Sequence, residues 1–477
     1  MNSDAKIAAG LFLLAAVTFG YFTGGAGWNQ DAHFDLTRAI VERQTLSIDG
    51  YDVNTGDVSK GTGGHTFINK PPGASILAAA PYAVVYAIER RLHEPIDSMT
   101  RMNRWIATAL SVGLCGALIG PILYLYGRRK MNAAPVTALC IAAIILFGTI
   151  LFSYSTMLFA HVPAALFLLL AMTLFETRPV AAGIAAGLAV SCFYVCALAA
   201  AILALTSFSP QRHRGHRAFP LCLCGKQLFR FILGLLPFAI LMAIYQWLCF
   251  GSPFKTAVEA STPFTEKGLL FGVIKMPSMA ALYGITFSPY RGLFFVSPIL
   301  LLALFATKRN REFWSVIAIA LTFVLAIASF NGWSGGFAFG PRYLVPIIPL
   351  LGIPMMTAQP RPRLLWIAAA IFAVGLNFIA TATDPMPSPE LQHPVSRYLV
   401  PAFFTGHIGE KTRREVGWFE TQSVPNVALP RDSGNLGEFI FGKGTRASVI
   451  PIALWLAAGF AILLRMSLRQ PQRPLIE

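Results

Sequence analysis

Charge is scarce in this chain. Of its 477 residues only 13% are Asp, Glu, Lys or Arg, while 55% are hydrophobic; a soluble domain carries about 25% charge. That shortage excludes a water-facing surface over most of the molecule. Cysteine is also sparse. The seven are Cys115, Cys140, Cys192, Cys196, Cys222, Cys224 and Cys249. Most lie inside apolar runs and none in the long polar segments between them, which argues against a disulfide framework. His213, His216, Cys222 and Cys224 share one stretch, but their spacing fits no standard zinc finger. The chain has no P-loop, no dinucleotide fingerprint, no nucleophile elbow and no HExxH. Chemistry driven by a soluble nucleotide is therefore not expected. No internal repeat is visible, which weakens an inverted-repeat transporter.

What is present is a succession of apolar runs, each of roughly 20 residues and so able to cross a bilayer. The first, from Ile7 to about Tyr21, has a weak basic flank and no A-x-A-like site, and it reads as a retained membrane helix rather than a signal peptide. The net charge of +16 does not call for nucleic acid, because surplus Lys and Arg collect in cytoplasmic loops of membrane proteins. "GRRK" at 127–130, Arg178, "RHRGHR" at 212–217, "KRNR" at 308–311, "RPR" at 361–363 and the tail arginines all flank apolar runs. Taking these as cytoplasmic gives spans at 7–27, 105–126, 134–154, 157–175, 231–250, 292–306, 313–330, 343–358, 364–381 and 448–465. The stretch 180–207 must begin and end inside, so it is expected as two short helices. The expectation is an all-α polytopic protein of about twelve transmembrane helices, with both termini cytoplasmic.

Three outer segments remain, 28–104, 251–291 and 382–447, with a short turn at 331–342. The division expected is a membrane domain over 1–381 that includes the first outer loop, an outer loop region over 382–447, and a last helix and tail over 448–477. "DAHFDLTRAIVERQTL" at 31–46 carries a mixed apolar face that predicts a helix lying at the interface. Residues 72–88, with Pro72 and Pro81, are read as a second interfacial or re-entrant helix, since a full span there would move "GRRK" outside. Aromatics in 382–447 (Phe403, Phe404, Trp418, Phe439, Phe441) predict a folded or interfacial loop.

Polar chemistry concentrates in the first outer loop, in Asp31, Asp35, Glu42, Asp49, Asp52, Asp57, His65 and Lys70. Arg291 in "SPYRGLFFVSP" and Arg342 in "GPRYLVPIIP" add cations at the starts of later spans. Snorkelling accounts for many edge cations, yet prolines and glycines hold these ones in place. Pro71 and Pro72 stop any upstream helix and hold the approach to Lys70 extended. Fixed cations at one membrane face suit a phosphate group. Acids at a loop–membrane junction suit a general base, and Asp31, Asp57, Asp35 and Asp49 are all open to that role. His161 interrupts "SYSTMLFAHVPAALF" near its outer tip and is a further candidate.

"GWNQDAHF", "DLTRAIVE", "GHTFINKPPG" and "GPRYLVPIIPLL", in that order, resemble the GT-C superfamily of integral membrane glycosyltransferases. The branch they are most similar to holds the bacterial relatives of protein mannosyltransferases and the lipid A aminoarabinose transferases. The resemblance covers residues 10–175 well and 285–350 in part. It implies a sugar donor on a polyprenyl phosphate, a lipid-linked or periplasmic acceptor, and usually inversion. It also implies a bacterial cytoplasmic membrane with the site facing the periplasm. Asp31 matches the family's catalytic acid, Lys70 its donor-phosphate ligand, and Arg342 a second ligand to that phosphate. Two positions depart from the pattern: Ala32 stands where a second acid is common, and His161 where the hairpin-tip acid is expected. Asp57 or Asp49 is therefore open as the base. No cofactor is implied beyond a divalent cation that paired carboxylates could hold. A transporter or lipid flippase is the rival, and it predicts ionisable groups buried mid-span.

Overall fold

The computed structural model describes residues 3–93, 100–206, 221–261, 266, 269–270, 272–406, 408–409 and 433–470, without the side chains of 221–224. His213 and His216, the side chains of Cys222 and Cys224, and Trp418 lie outside the described residues.

The chain is built from helices. Helix α1 (Ser3–Tyr21) leads into a short strand β1 (Phe22–Gly24), then helix α2 (Trp28–Arg43). A hairpin of β2 (Val58–Lys60) and β3 (Thr66–Ile68) precedes α3 (Gly73–Leu92). There follow α4 (Thr100–Arg129), α5 (Pro135–Phe147), α6 (His161–Leu174), α7 (Pro179–Cys192), α8 (Cys196–Thr206) and α9 (Leu221–Phe250). After α10 (Met279–Thr286) come α11 (Arg311–Ala328), α12 (Arg342–Met355), α13 (Arg363–Thr383), β4 (Ser433–Asn435) and α14 (Arg446–Leu468). Among the described residues six helices are long and apolar enough to cross a membrane: α1, α4, residues 225–250 of α9, α11, α13 and α14. Five more, α5 to α8 and α12, are apolar but shorter.

Local chemistry sets the helix ends. Pro135 and Pro179 occupy first turns, where the missing N–H costs nothing. Asn310 and Ser278 cap α11 and α10 through their side chains. The stretch 180–207 is two short helices, as the charge pattern requires, broken at Phe193.

Two expectations are corrected. The span expected at 292–306 is a single α-turn, Leu293–Val296, followed by a 3-10 segment, Pro298–Phe305. Ser297 leaves helical geometry there and Pro298 has no N–H to continue the ladder. The first span stops at Tyr21 because Phe22–Gly24 pairs antiparallel with Ser433–Asn435, tying the two ends of the chain together. Helix α2 is enclosed: Asn29 to Thr37 are all buried. It packs beneath α3 and against the hairpin, and Leu36, Ala39 and Ile68 share one apolar cluster. Helix α3 leaves Ile76, Val84, Ile88 and Leu92 exposed along its outer side.

Candidate active site

The hairpin assembles the first part of the site. Its register pairs Val58 with Ile68, so Asp57 and Asn69 meet at the next rung, where Asn69 N donates to Asp57 O at 3.1 Å. A separation of 12 positions in the chain thus collapses to one cross-strand step. Ser59 Oγ donates to Ala257 O (2.7 Å) and Ser261 Oγ to Val58 O (3.0 Å), which fasten the hairpin to the second outer segment.

Lys70 follows directly and closes on the same carboxylate. Its Nζ lies 3.0 Å from Asp57 Oδ2 and donates to Asn69 Oδ1 at 2.7 Å. Burial works to raise the Asp57 carboxyl. The charges of Lys70 and Arg342, with hydrogen bonds from Lys70 and Asn69, outweigh it and hold Asp57 below the usual carboxylate range. Pro72 then caps α3, and Ile76 N donates to Pro72 O at 3.0 Å. Lys70 therefore sits at the positive end of a 20-residue helix.

Arg342 opens α12, and its charge acts on Asp57. Its guanidinium carbon stands 5.3 Å from the Phe159 ring centroid and 5.0 Å from that of Tyr343, and Nη2 donates to Tyr343 Oη at 3.1 Å. Its Nε is buried and has no partner among the described residues. His161 shares this aromatic enclosure, 5.5 Å from Tyr343 and 5.0 Å from Phe193 by ring centroid, with both ring nitrogens buried and without a hydrogen-bond partner among the described residues.

Arg291 behaves differently. It is 1% exposed and donates to the carbonyls of Gly336 (2.6 Å) and Ala338. These two bonds hold it to the loop that delivers Arg342, while its Nε is buried with no partner among the described residues. We expect Arg291→Met to leave these carbonyls unpaired, at about 1–3 kcal/mol each, measurable as a lower melting temperature of the detergent-purified protein.

The remaining acids separate into their own clusters. Asp31 Oδ1 accepts from Arg104 Nη1 at 2.8 Å. Asp35, one helical turn on, accepts from Asn54 Nδ2 at 3.4 Å. Asp49 pairs with His65 and accepts from Thr66 N at 2.8 Å. Both its carboxylate and the imidazole are well exposed (44% and 60%), at the hairpin's far end. Hydrogen bonds from Ser47, His65 and Thr66 overcome slight burial and hold Asp49 below the usual range. Among the described residues no three His, Cys, Asp or Glu side chains come together to hold a metal ion.

Some participants escaped the sequence reading. Asn69 and Ser261 link the hairpin to the outer segment, Asn69 Nδ2 donating to Ser261 Oγ at 3.2 Å. Arg104 is the partner of Asp31. His33 faces Ser75 through Nδ1 at 3.0 Å, and burial, with the charge of Lys70, pushes it down to about 3, so it is neutral. Only Asn69, beside Lys70, carried a signal, namely its place in "NKPP".

No family model matches the sequence, and no curated protein matches it. Solved structures do. ArnT from Cupriavidus metallidurans, bound to undecaprenyl phosphate, is similar with a TM-score of 0.46 at 14% identity, over 97% of this chain and 77% of that one. The oligosaccharyltransferase of Archaeoglobus fulgidus is similar with a TM-score of 0.49 at 12% identity, over 90% and 60%. Arabinofuranosyltransferase AftD from Mycobacteria gives 0.38 at 14%, over 79% and 27%.

Proposed function

We propose that this chain is a GT-C-type membrane glycosyltransferase that moves a sugar from a polyprenyl-phosphate donor to a lipid-linked or periplasmic acceptor, with inversion. The observation that carries this reading is the Lys70–Asp57 pair at the start of α3, with the charge of Arg342 acting on the same carboxylate. One cation pairs with this buried anion and the charge of a second acts on it, at the end of a membrane-associated helix, which is the electrostatic environment a leaving phosphate needs. The order of motifs in the sequence points the same way. On this reading the chain sits in a bacterial cytoplasmic membrane and the site faces the periplasm.

The step balances without a nucleotide. The acceptor oxygen attacks C1 of the donor sugar, its proton passes to a carboxylate, and the C1–O bond to phosphate breaks to release the polyprenyl phosphate. Lys70 and Arg342 take up the charge that develops on that phosphate. At rest Asp57 is ionised and a weak base, because Lys70 neutralises it. When Lys70 turns to the donor phosphate, Asp57 loses its nearest counter-charge and its proton affinity rises. Donor binding would thereby arm the base.

Asp57→Asn and Asp31→Asn, assayed separately in proteoliposomes, test the assignment. The expected result is a loss of about 10²–10⁴-fold for Asp57→Asn and a smaller loss for Asp31→Asn. The reverse order would move the base to Asp31, and full activity in both would remove a carboxylate base altogether.

A further inference from the structure

Three carboxylates and two guanidinium groups meet along α2. Arg104 Nη1 donates to Asp31 at 2.8 Å, in a pair whose side chains are 12% and 9% exposed. Arg38 Nε donates to Glu42 Oε1 at 2.7 Å and Nη2 to Oε2 at 3.4 Å, in a pair 13% and 10% exposed. The Tyr51 and Tyr82 hydroxyls complete Glu42 at 2.8 and 2.6 Å. Asp35 is the acid left over. It is 2% exposed, its Oδ1 receives only the long Asn54 contact of 3.4 Å, and its Oδ2 is buried with no partner among the described residues. A buried carboxylate needs donors on both oxygens to stay ionised, and each nearby cation already faces another acid.

We propose that Asp35 holds a proton on Oδ2, and that this neutral acid is a positioning residue that leaves the Arg104–Asp31 pair undivided. The charged groups that act on Asp35 are Asp31 and Arg38 from its own helix and Arg104 from α4, with Asn54 donating from residues 52–54. Ionisation would set a second negative charge one helical turn from Asp31, where the two side chains are neighbours. It would repel Asp31 and compete for Arg104, the side chain that joins α2 to α4. The surroundings fit a retained proton: burial, with the Asp31 charge, pushes Asp35 up to about 8 against the pull of Asn54, Arg38 and Arg104.

The sign of the stability effect follows. A group whose folded-state proton affinity is raised stabilises the fold fully at low pH, and that contribution is lost as pH rises. Here the loss runs from about 3.9, where an unfolded Asp releases its proton, up to the folded value near 8. The positioning role rests on the glycosyl-transfer reading; the proton itself does not, so two readouts are used. Wild type, Asp35→Asn and Asp35→Ala are reconstituted in liposomes of phosphatidylethanolamine and phosphatidylglycerol, and melting temperature and sugar transfer are followed from pH 5 to 9.

The wild-type melting temperature is expected to fall between pH 5 and 8. That of Asp35→Asn, which copies the neutral acid, should stay flatter. Transfer by the wild type should decline above pH 8 and that of Asp35→Asn should not, while Asp35→Ala loses about tenfold at pH 7. Parallel melting curves for wild type and Asp35→Asn would overturn the proton site. A flatter Asp35→Asn curve with an unaltered alkaline limb of transfer would overturn the positioning role. Should wild-type liposomes transfer no sugar at any pH, the functional reading fails, and the melting curves still decide where the proton is.

Discussion

Replacing Lys70 with alanine is expected to lower sugar transfer by about 10²–10³-fold, the usual cost of removing one preorganised charge-stabilising donor. Lys70 is held rather than merely present: Nζ sits 3.0 Å from Asp57 and 2.7 Å from Asn69, and the backbone passes straight into two prolines. An ammonium fixed this way spends nothing on reorganisation as the phosphate takes on charge. The substitution also strands Asp57, whose side chain is 9% exposed. Lys70 is 21% exposed, so water reaches the pair and the stability loss should stay near 1–3 kcal/mol. The double variant Lys70→Ala/Asp57→Asn removes the stranded charge and should recover the melting temperature without recovering transfer. Lys70→Arg is expected to rescue only in part, because a forked guanidinium cannot occupy the point between two oxygens that a compact ammonium fills. Measured in proteoliposomes, a near-wild-type rate for Lys70→Ala would remove the phosphate role.

The helices were legible from the sequence because bilayer length and loop charge are one-dimensional signals. Even the broken stretch 180–207 could be divided by asking which side its ends must face. The site was legible only where neighbours in the chain are neighbours in space, as in "NKPP" and "GPRY". Asp57 could be suspected but not paired, since its approach to Lys70 depends on the register of a three-residue hairpin that no hydrophobic pattern announces. For Arg291 the sequence shows a cation at a span edge but not its bonds to the carbonyls of Gly336 and Ala338, which only the fold brings within reach. The Arg104–Asp31 pair joins residues 73 positions apart, and only the packing of α2 and α4 against α3 reveals it.

Gly183→Ala should disrupt both folding and transfer although it adds one methyl group far along the chain from Lys70. Helices α7 and α9 cross with their backbones in contact. A Cβ on Gly183 would overlap the carbonyl of Phe231, one on Gly234 would overlap that of Val180, and one on Gly187 would come within 2.7 Å of Phe238 Cβ. Close approach through small residues is how helices associate where lipid removes the hydrophobic drive. Because the clash is with backbone, no side-chain rotation relieves it, and the helices must separate at about 1–3 kcal/mol or more. The displacement reaches the site along α7. Its last turn carries the Ser191 carbonyl, which lies 2.5 Å from where a Cβ on Gly73 would stand, and Gly73 begins α3 three residues after Lys70. A shift of α7 therefore moves the end of α3 that presents the lysine. The expected outcome is a lower melting temperature together with a fall in turnover larger than the loss of folded protein explains. Gly375→Ala is the control, since that glycine faces open space with nothing within 4 Å and should change neither. Equal behaviour of Gly183→Ala and Gly375→Ala would mean that the α7–α9 crossing is loose and does not set the position of Lys70.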